Sequence, residues 1–221
     1  MVQPVDVGTP VEDRVATVRP DQSLAERSRR DPVGLVVIAS SAGGVAALPH
    51  VLRPLPPDFR VPILVLQHLA PHIPSALVAI LARATPLTVR SACDGAILAA
   101  GVIDVAPPDH HVVIRPDGLI SLSQTEQVHH VRPSADVLFG SAAAAYGART
   151  LAVVLTGTGS DAAAGVHAIH AVGGIVVVQD RASSDFTGMP DAALATGVAD
   201  HVLPLDEIAP MLIALVADRH R

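Results

Sequence analysis

The chain has 221 residues, a formal net charge of −6 and no Lys, so all of its basic residues are Arg. Half of the residues are hydrophobic and only 2% are aromatic, which suits one large aliphatic core and disfavours a disordered protein or an aromatic platform for RNA. The acidic balance argues against nucleic-acid binding, and the absence of Lys excludes a Schiff base, a P-loop Lys and a Ser–Lys dyad.

The first 31 residues differ in composition from the rest of the chain. About a third of them are Asp, Glu or Arg, and they show no sustained apolar period. We expect residues 1–31 to be a flexible tail and residues 32–221 to form one domain. No secretory signal and no membrane-spanning run is recognised, so we expect a cytoplasmic protein without membrane insertion. Cys93 is the single Cys, which excludes a disulfide framework and favours a buried apolar role for it.

From Val33 onward, short β-branched runs alternate with longer helical patterns. Strands are predicted at Leu35–Ile38, Ile63–Leu66, Val102–Val105, Thr150–Leu155, Ile175–Val178 and His201–Leu203, with a hairpin from Val112–Ile114 and Leu119–Leu122. Helices are predicted at Gly43–Leu52, Pro74–Ala84, Ser134–Tyr146, Ala162–Val172, Pro190–Thr196 and Asp206–Ala217, the last capped by Asp206. Apolar strands that alternate with helices predict an α/β fold of three layers: a doubly wound, mostly parallel sheet with helices on both faces, and a small hairpin.

Polar turns follow three of the predicted buried strands, with the sequences ASSAGG, QH and TGTGSD. Taken alone, Ser40 and Ser41 are typical of a helix cap or a phosphate-binding turn. His68 alone is typical of a structural His at a strand end, and Asp161 alone is typical of a helix N-cap. Because the carboxyl ends of parallel strands share one edge of the sheet, the three turns together also match a Ser–His–Asp catalytic division of labour. The chain order and the lack of a G-x-S-x-G elbow disfavour a standard α/β-hydrolase.

Six blocks in order now carry a resemblance: VVIASSAGG, LVLQHL, VAPPDHHV, RPSADVLF, VVLTGTGSDAAAG and FTGMPDAALATG. The stretch from Val33 to Leu215 resembles the catalytic domain of the chemotaxis protein-glutamate methylesterases, the CheB-type family. The family's G-A-S-[TS]-G-G turn places the nucleophile on Ser41 rather than Ser40, its Gln-His pair matches His68, and its L-T-G-M-G-x-D turn matches Asp161. The resemblance therefore implies that Ser41 attacks, His68 moves the proton and Asp161 orients His68.

Departures from the family pattern lie around these residues. Ala39 and Ser40 replace a Gly and an Ala, Ala42 replaces Thr or Ser, and Thr158 replaces Met. The backbone N–H groups of Ala42 and Thr158 are the candidate oxyanion donors.

The resemblance also implies further site residues. It indicates a cleft lined by Gly43, Gly44, Gln67, His111, Arg132 and Met189. A helix start at Arg132-Pro133-Ser134 is the simpler interpretation of that segment, and holding an acidic receptor helix is the functional one for Arg132. The family needs no metal or cofactor, and we expect the eleven His residues to be structural or solvent-facing.

The implied function is a serine-dependent hydrolysis of glutamyl methyl esters on the cytoplasmic helices of methylated chemoreceptors, with glutamine deamidation by the same acyl route. The 31-residue tail is too short for the receiver domain that family members usually carry, so the sequence is either a stand-alone esterase or a fragment of a longer protein. We expect the stand-alone esterase, with constitutive access or a regulatory partner in trans. The alternatives are a catalytically silent CheB-like binding or signalling module and a phosphate- or nucleotide-binding protein. The intact triad disfavours the first, and the lack of a G-x-G-x-x-G run or a P-loop disfavours the second.

Overall fold

Nine strands organise the computed structural model, which describes residues 32–69 and 76–217. In chain order they are β1 (Leu35–Ser40), β2 (Ile63–Gln67), β3 (Thr88–Ser91), β4 (Val102–Val105), β5 (His111–Ile114), β6 (Ile120–Ser123), β7 (Thr150–Val154), β8 (Ile175–Gln179) and β9 (His201–Leu203). Seven of them form a sheet in the order β3-β4-β2-β1-β7-β8-β9 whose neighbours all pair in parallel. The remaining two, β5 and β6, form the small antiparallel hairpin.

Six α-helices cover the two faces of this sheet. They are α1 (Gly44–Leu52), α2 (Leu77–Ala84), α3 (Ala135–Tyr146), α4 (Ala163–Ala171), α5 (Gly188–Ala195) and α6 (Leu205–Ala217). One core lies under α1, α2 and α6, and the other lies under α3, α4, α5 and the hairpin. Strand β1 supplies both cores, with Val36 and Ile38 on one side and Leu35 and Val37 on the other. The predicted three-layer, doubly wound fold is therefore confirmed.

The order of the strands places three loops side by side. The central strand β1 pairs with β2 on one side and with β7 on the other, and all three run in the same direction. From β1, the strands that follow first in the sequence lie on one side and the later strands β7, β8 and β9 lie on the other. The boundary between β1 and β7 is therefore the topological switch point, where ligands bind in open α/β sheets. Ser41 directly follows β1, His68 directly follows β2, and Asp161 lies between β7 and α4.

Several local predictions need correction. Strand β3 was not predicted, because its sequence TVRS is half-exposed and polar at the edge of the sheet. Asp206 does not cap α6; it lies within that helix and bonds to His50. Cys93 is exposed rather than buried. The tail at residues 1–31 and the first two residues of the helix predicted from Pro74 lie outside the described residues.

A membrane-spanning element was not expected from the sequence. Within residues 32–69 and 76–217, none of the helices combines the length and the apolar character needed to cross a bilayer.

Candidate active site

Ser41 lies in the tight turn between β1 and α1. Its backbone N–H donates to Thr156 O at 3.0 Å, and its carbonyl accepts from Gly44 N at 2.9 Å, so the turn is bonded to the loop after β7 as well as to itself. Gly43 adopts φ +81° in this turn, a conformation that favours glycine. The Ser41 hydroxyl makes no hydrogen bond to any residue that the structure describes.

His68 and Asp161 form a hydrogen-bonded pair at the centre of the site. His68 Nε2 lies 2.9 Å from Asp161 Oδ2, and both side chains are largely buried, at 10% and 4% exposure. Because a carboxylate only accepts hydrogen bonds, the proton of the neutral imidazole lies on Nε2 and the lone pair lies on Nδ1. No described residue bonds to Nδ1. The expected contact between Ser41 Oγ and His68 is not formed here and stays a prediction, with Nδ1 as the nitrogen left to accept the proton.

Asp161 accepts four hydrogen bonds. Oδ2 accepts from His68 and from Ala135 N at 2.6 Å, while Oδ1 accepts from Ser134 Oγ at 2.8 Å and from Asp136 N at 3.1 Å. Burial acts to raise the pKa of Asp161, but these hydrogen bonds act in the opposite direction and hold the pKa below its usual value. Asp161 is therefore an anion at neutral pH, at the positive N-terminus of α3.

The carboxylate of Asp161, which precedes α4, thus caps the N-terminus of α3. In the same way, Asp136 of α3 caps the N-terminus of α4. Asp136, in the first turn of α3, accepts from Ala162 N at 3.1 Å and from Gly165 N at 2.6 Å at the start of α4. Burial raises the pKa of Asp136 despite these bonds, and the neighbouring charge of Asp161 adds to the rise. The two carboxylates therefore fasten the N-termini of α3 and α4 to each other and fix Asp161 in place.

The loop after β7 contacts Ser41 directly. A Cβ on Gly157 would overlap Met189 Sδ and come within 2.9 Å of Ser41 Cβ, so only glycine fits at this position. Gly157 N donates to Phe186 O, and the hydroxyl of Thr156 accepts from Phe186 N, both at 2.9 Å. These bonds tie the Ser41 turn, the β7 loop and the segment before α5 together.

The candidate oxyanion donors differ from their neighbours in the hydrogen bonding of their backbone N–H groups. The backbone N–H groups of Ser41 and Gly157 already have acceptors, whereas those of Ala42 and Thr158 have none among the described residues. A backbone N–H without an internal partner at a substrate edge is available to a developing negative charge. The assignment of Ala42 and Thr158 as oxyanion donors stays a prediction.

The assignment of Gly44, Gln67, His111 and Met189 to the lining of the cleft stays a prediction. All four residues are buried in the structure. Both ring nitrogens of His111 are used internally: Nδ1 accepts from Ser134 N at 3.2 Å and Nε2 donates to Glu126 O at 3.0 Å. Of the expected set, only Gly43 and Arg132 are partly exposed.

Arg132 makes four internal hydrogen bonds. Its Nε and Nη2 donate to Asp109 Oδ1, and Nη1 donates to the carbonyl oxygens of Gln124 and Thr125. The guanidinium also holds the pKa of Asp109 below its usual value, by its hydrogen bond to that carboxylate. Arg132 therefore fastens the segment before α3 to two other loops. Its expected role in holding an acidic receptor helix stays a prediction.

Two residues of the site were missed in their present role. Ser134 was expected as a helix cap, and it does accept from Val137 N, but it also donates to Asp161. Asp136 was not singled out at all. The available signal was the block RPSADVLF, which contains both residues and stands apart from the three strand-end turns in the sequence.

Metal ligation finds no support in the described residues: over 32–69 and 76–217, no three or more His, Cys, Asp or Glu side chains are grouped so as to hold a metal ion.

A protein-family model matches most of this chain. The model described as CheB methylesterase matches residues 36–212, which is most of the chain. The crystal structure of the Thermotoga maritima CheB methylesterase catalytic domain superimposes with a TM-score of 0.80 at 35% identity. It covers 85% of this chain and all of that one.

Curated relatives agree with this match. Protein-glutamate methylesterase/protein-glutamine glutaminase 2 of Caulobacter vibrioides is 41% identical over 89% of this chain and 58% of the relative. An Anaeromyxobacter dehalogenans protein with the same name is 43% identical over 88% of this chain and 58% of its own length. Protein-glutamate methylesterase FrzG of Myxococcus xanthus is 37% identical over 92% and 61%. The chain thus spans somewhat more than half the length of these relatives.

Proposed function

Since this chain belongs to the CheB methylesterase family, we propose that it hydrolyses the γ-methyl esters of methylated glutamates on chemoreceptors, through an acyl-enzyme on Ser41. The observation that carries the proposal is the buried His68–Asp161 pair, in loops at the same sheet edge as Ser41, whose hydroxyl has no hydrogen-bond partner among the described residues. We place the reaction in the cytoplasm, where the methylated helices of chemoreceptors lie, and assign it to residues 32–221.

Acylation begins when Ser41 Oγ attacks the ester carbonyl carbon and its proton passes to His68 Nδ1. The ionised Asp161 stabilises the imidazolium that forms, and the N–H groups of Ala42 and Thr158 stabilise the oxyanion. Collapse of the tetrahedral intermediate breaks the bond to the methoxy group. His68 returns the proton to that oxygen, so methanol leaves and the glutamyl group stays on Ser41.

Deacylation repeats these steps with water. His68 Nδ1 takes a proton from a water molecule, whose oxygen attacks the acyl carbon. The second tetrahedral intermediate expels Ser41 Oγ, which recovers its proton from His68. The products are a glutamate side chain on the receptor and the free enzyme.

A side-chain amide is the second substrate we propose. The names of the relatives include protein-glutamine glutaminase, and the same steps on a receptor glutamine would release ammonia in place of methanol. The leaving nitrogen takes its proton from His68 just as the methoxy oxygen does.

In the proposed mechanism, the two ring nitrogens of His68 have the opposite roles from those in the chymotrypsin arrangement. There the Asp bonds Nδ1 and the Ser bonds Nε2. Here Asp161 bonds Nε2, so Nδ1 is the general base. The chemistry requires only that one nitrogen donates to the carboxylate while the other accepts from the serine.

The test is methanol release from a methylated cytoplasmic fragment of a chemoreceptor. We expect turnover by the wild-type chain and a loss of about 10³-fold or more in His68→Ala, because that variant has no base for Ser41. His167→Ala is the matched control, since His167 is exposed on α4, and it should retain wild-type turnover. Folded wild-type chain that releases no methanol from several receptor fragments would contradict the proposal and favour a catalytically silent module.

A further inference from the structure

Ser40 and Gln67 are neighbours at the ends of two adjacent strands. They are the last residues of β1 and β2 and pair with each other in the sheet register. Since side chains alternate between the two faces of a sheet, both point to the side covered by α1, as Ile38 and Val65 do. Ser40 is fully buried and Gln67 is 3% exposed, so neither side chain reaches substrate.

The Gln67 carboxamide is fully used in hydrogen bonds. Its Oε1 accepts from Ser40 Oγ at 2.7 Å, and its Nε2 donates to Ser41 O at 2.6 Å and to His68 O at 2.9 Å. The orientation of the amide follows from these partners, because two carbonyl oxygens can only accept. One planar group therefore joins the backbone of the proposed nucleophile to that of the proposed base.

The space around this group is closed on the side of α1. A Cβ on Gly44 would overlap Gln67 Oε1 and Ser40 Cβ, so α1 begins directly on the amide. Among the described residues, no other side chain bonds to the backbone of both Ser41 and His68. The carboxamide thus has little room to take another position without moving the Ser41 turn.

We propose that Gln67, oriented by the hydroxyl of Ser40, is a positioning residue that sets the distance and direction from Ser41 to His68. The inference rests on the proposed function. It assigns Gln67 a role beneath the site rather than at its surface, and it gives Ser40 a role distinct from that of the neighbouring Ser41.

The decisive variant is Gln67→Glu, which keeps the shape and replaces the donating NH2 with an oxygen. A carboxylate oxygen would then face two carbonyl oxygens and push the Ser41 turn from His68. We expect kcat to fall about 100-fold or more with KM within about threefold, because a displacement of about 1 Å costs that much in rate. Should Gln67→Glu fail to fold, Ser40→Ala keeps the carboxamide and removes only its orienting donor. For that variant we expect kcat to fall about three- to tenfold.

Thr150→Val is the matched control for Ser40→Ala. The buried Thr150 hydroxyl donates to Ala142 O at the opposite end of the sheet from Ser41, so its loss should lower the unfolding temperature and leave kcat unchanged. A second readout needs no receptor: the rate at which a fluorophosphonate modifies Ser41 should fall in Gln67→Glu and Ser40→Ala but not in Thr150→Val.

The outcomes separate the two proposals. An active wild type whose kcat and labelling rate are unchanged by both Ser40→Ala and Gln67→Glu would overturn the positioning role alone. Raised KM with unchanged kcat would also overturn it, since that pattern indicates lost substrate contacts. A wild type inert towards both ester and fluorophosphonate would overturn the proposed function, and the positioning role with it.

Discussion

Ser41→Ala is expected to lower kcat for methanol release by about 10⁴-fold or more, with KM within about threefold of wild type. The acyl-enzyme cannot form without the Ser41 hydroxyl, and losing the nucleophile of a triad costs a factor of this order. The side chain makes no hydrogen bond in the described structure, so the folded state should be as stable as wild type. The measurement is steady-state methanol release, together with thermal unfolding of both proteins.

Two serine variants give this prediction its control. Ser91→Ala changes an exposed residue of β3 and should retain full activity. Ser40→Ala should retain at least about a tenth of it, because Ser40 only orients Gln67 in our account. Loss of all activity in Ser40→Ala, with substantial turnover left in Ser41→Ala, would show that Ser40 rather than Ser41 is the nucleophile. That result would contradict the mechanism.

Asp161→Asn is expected to lower both stability and activity. Each carboxylate oxygen of Asp161 accepts one of its two hydrogen bonds from a backbone N–H, so in either amide orientation an NH2 group would face a buried backbone donor, Ala135 N or Asp136 N. Leaving buried donors unpaired costs about 1–3 kcal/mol each. For a domain of this size, a loss of about 3 kcal/mol lowers the unfolding temperature by roughly 6–12 °C.

The loss of activity has a separate cause. An amide NH2 beside His68 Nε2 stabilises the imidazole tautomer that carries its proton on Nδ1, and that nitrogen can no longer accept the proton of Ser41. The equivalent change in a serine protease costs about 10⁴-fold in kcat. We expect a loss of this order when methanol release is measured well below the unfolding temperature of the variant.

The effect of Asp161→Asn on stability should depend on pH. Because the folded-state pKa of Asp161 is lowered, its ionised form stabilises the fold above the ordinary pKa of an aspartate. That contribution is lost as the pH falls through the lowered value. The unfolding temperatures of wild type and variant should therefore differ most at pH 7 and converge below about pH 4.

Asp117→Asn, at a half-exposed aspartate in the turn between β5 and β6, is the control and should show a much smaller difference. An Asp161→Asn variant as stable as wild type at pH 7 would show that the four hydrogen bonds are not formed. A destabilisation of the same size at pH 3 and pH 7 would show that Asp161 is not held as an anion.

The fold was largely predictable because four of its strands are continuous apolar runs. The centre of the sheet is formed by β1, β2, β7 and β8, whose two faces are both buried. Strands buried in this way have nearly continuous hydrophobic sequences, which can be recognised without a structure. The edge strand β3 pairs on one side only and can carry polar residues, so it lacks such a sequence. Asp206 shows a second limit: α6 begins one residue earlier, at Leu205, whose N–H donates to Ser183 Oγ in another loop, so Asp206 lies inside the helix.

The site was predictable only as far as strand ends determine it. That Ser41, His68 and Asp161 meet at one edge follows from the parallel sheet, and the His68–Asp161 contact agrees with it. The partners of Asp161 on α3 could not be predicted from local sequence. The N-terminus of α3 reaches Asp161 because α3 packs on the sheet face that it shares with α4 and α5. The burial of His111 and Gln67 depends in the same way on contacts between distant segments.

In the proposed mechanism, Ser41 is a nucleophile activated by His68. The most direct test is to treat the folded chain with a fluorophosphonate and map the modified residue by peptide mass spectrometry. We expect one adduct, on Ser41, formed rapidly in wild type and at least about 100-fold more slowly in His68→Ala. A chain that stays unmodified, or an adduct on Ser41 that forms equally fast without His68, would contradict this mechanism.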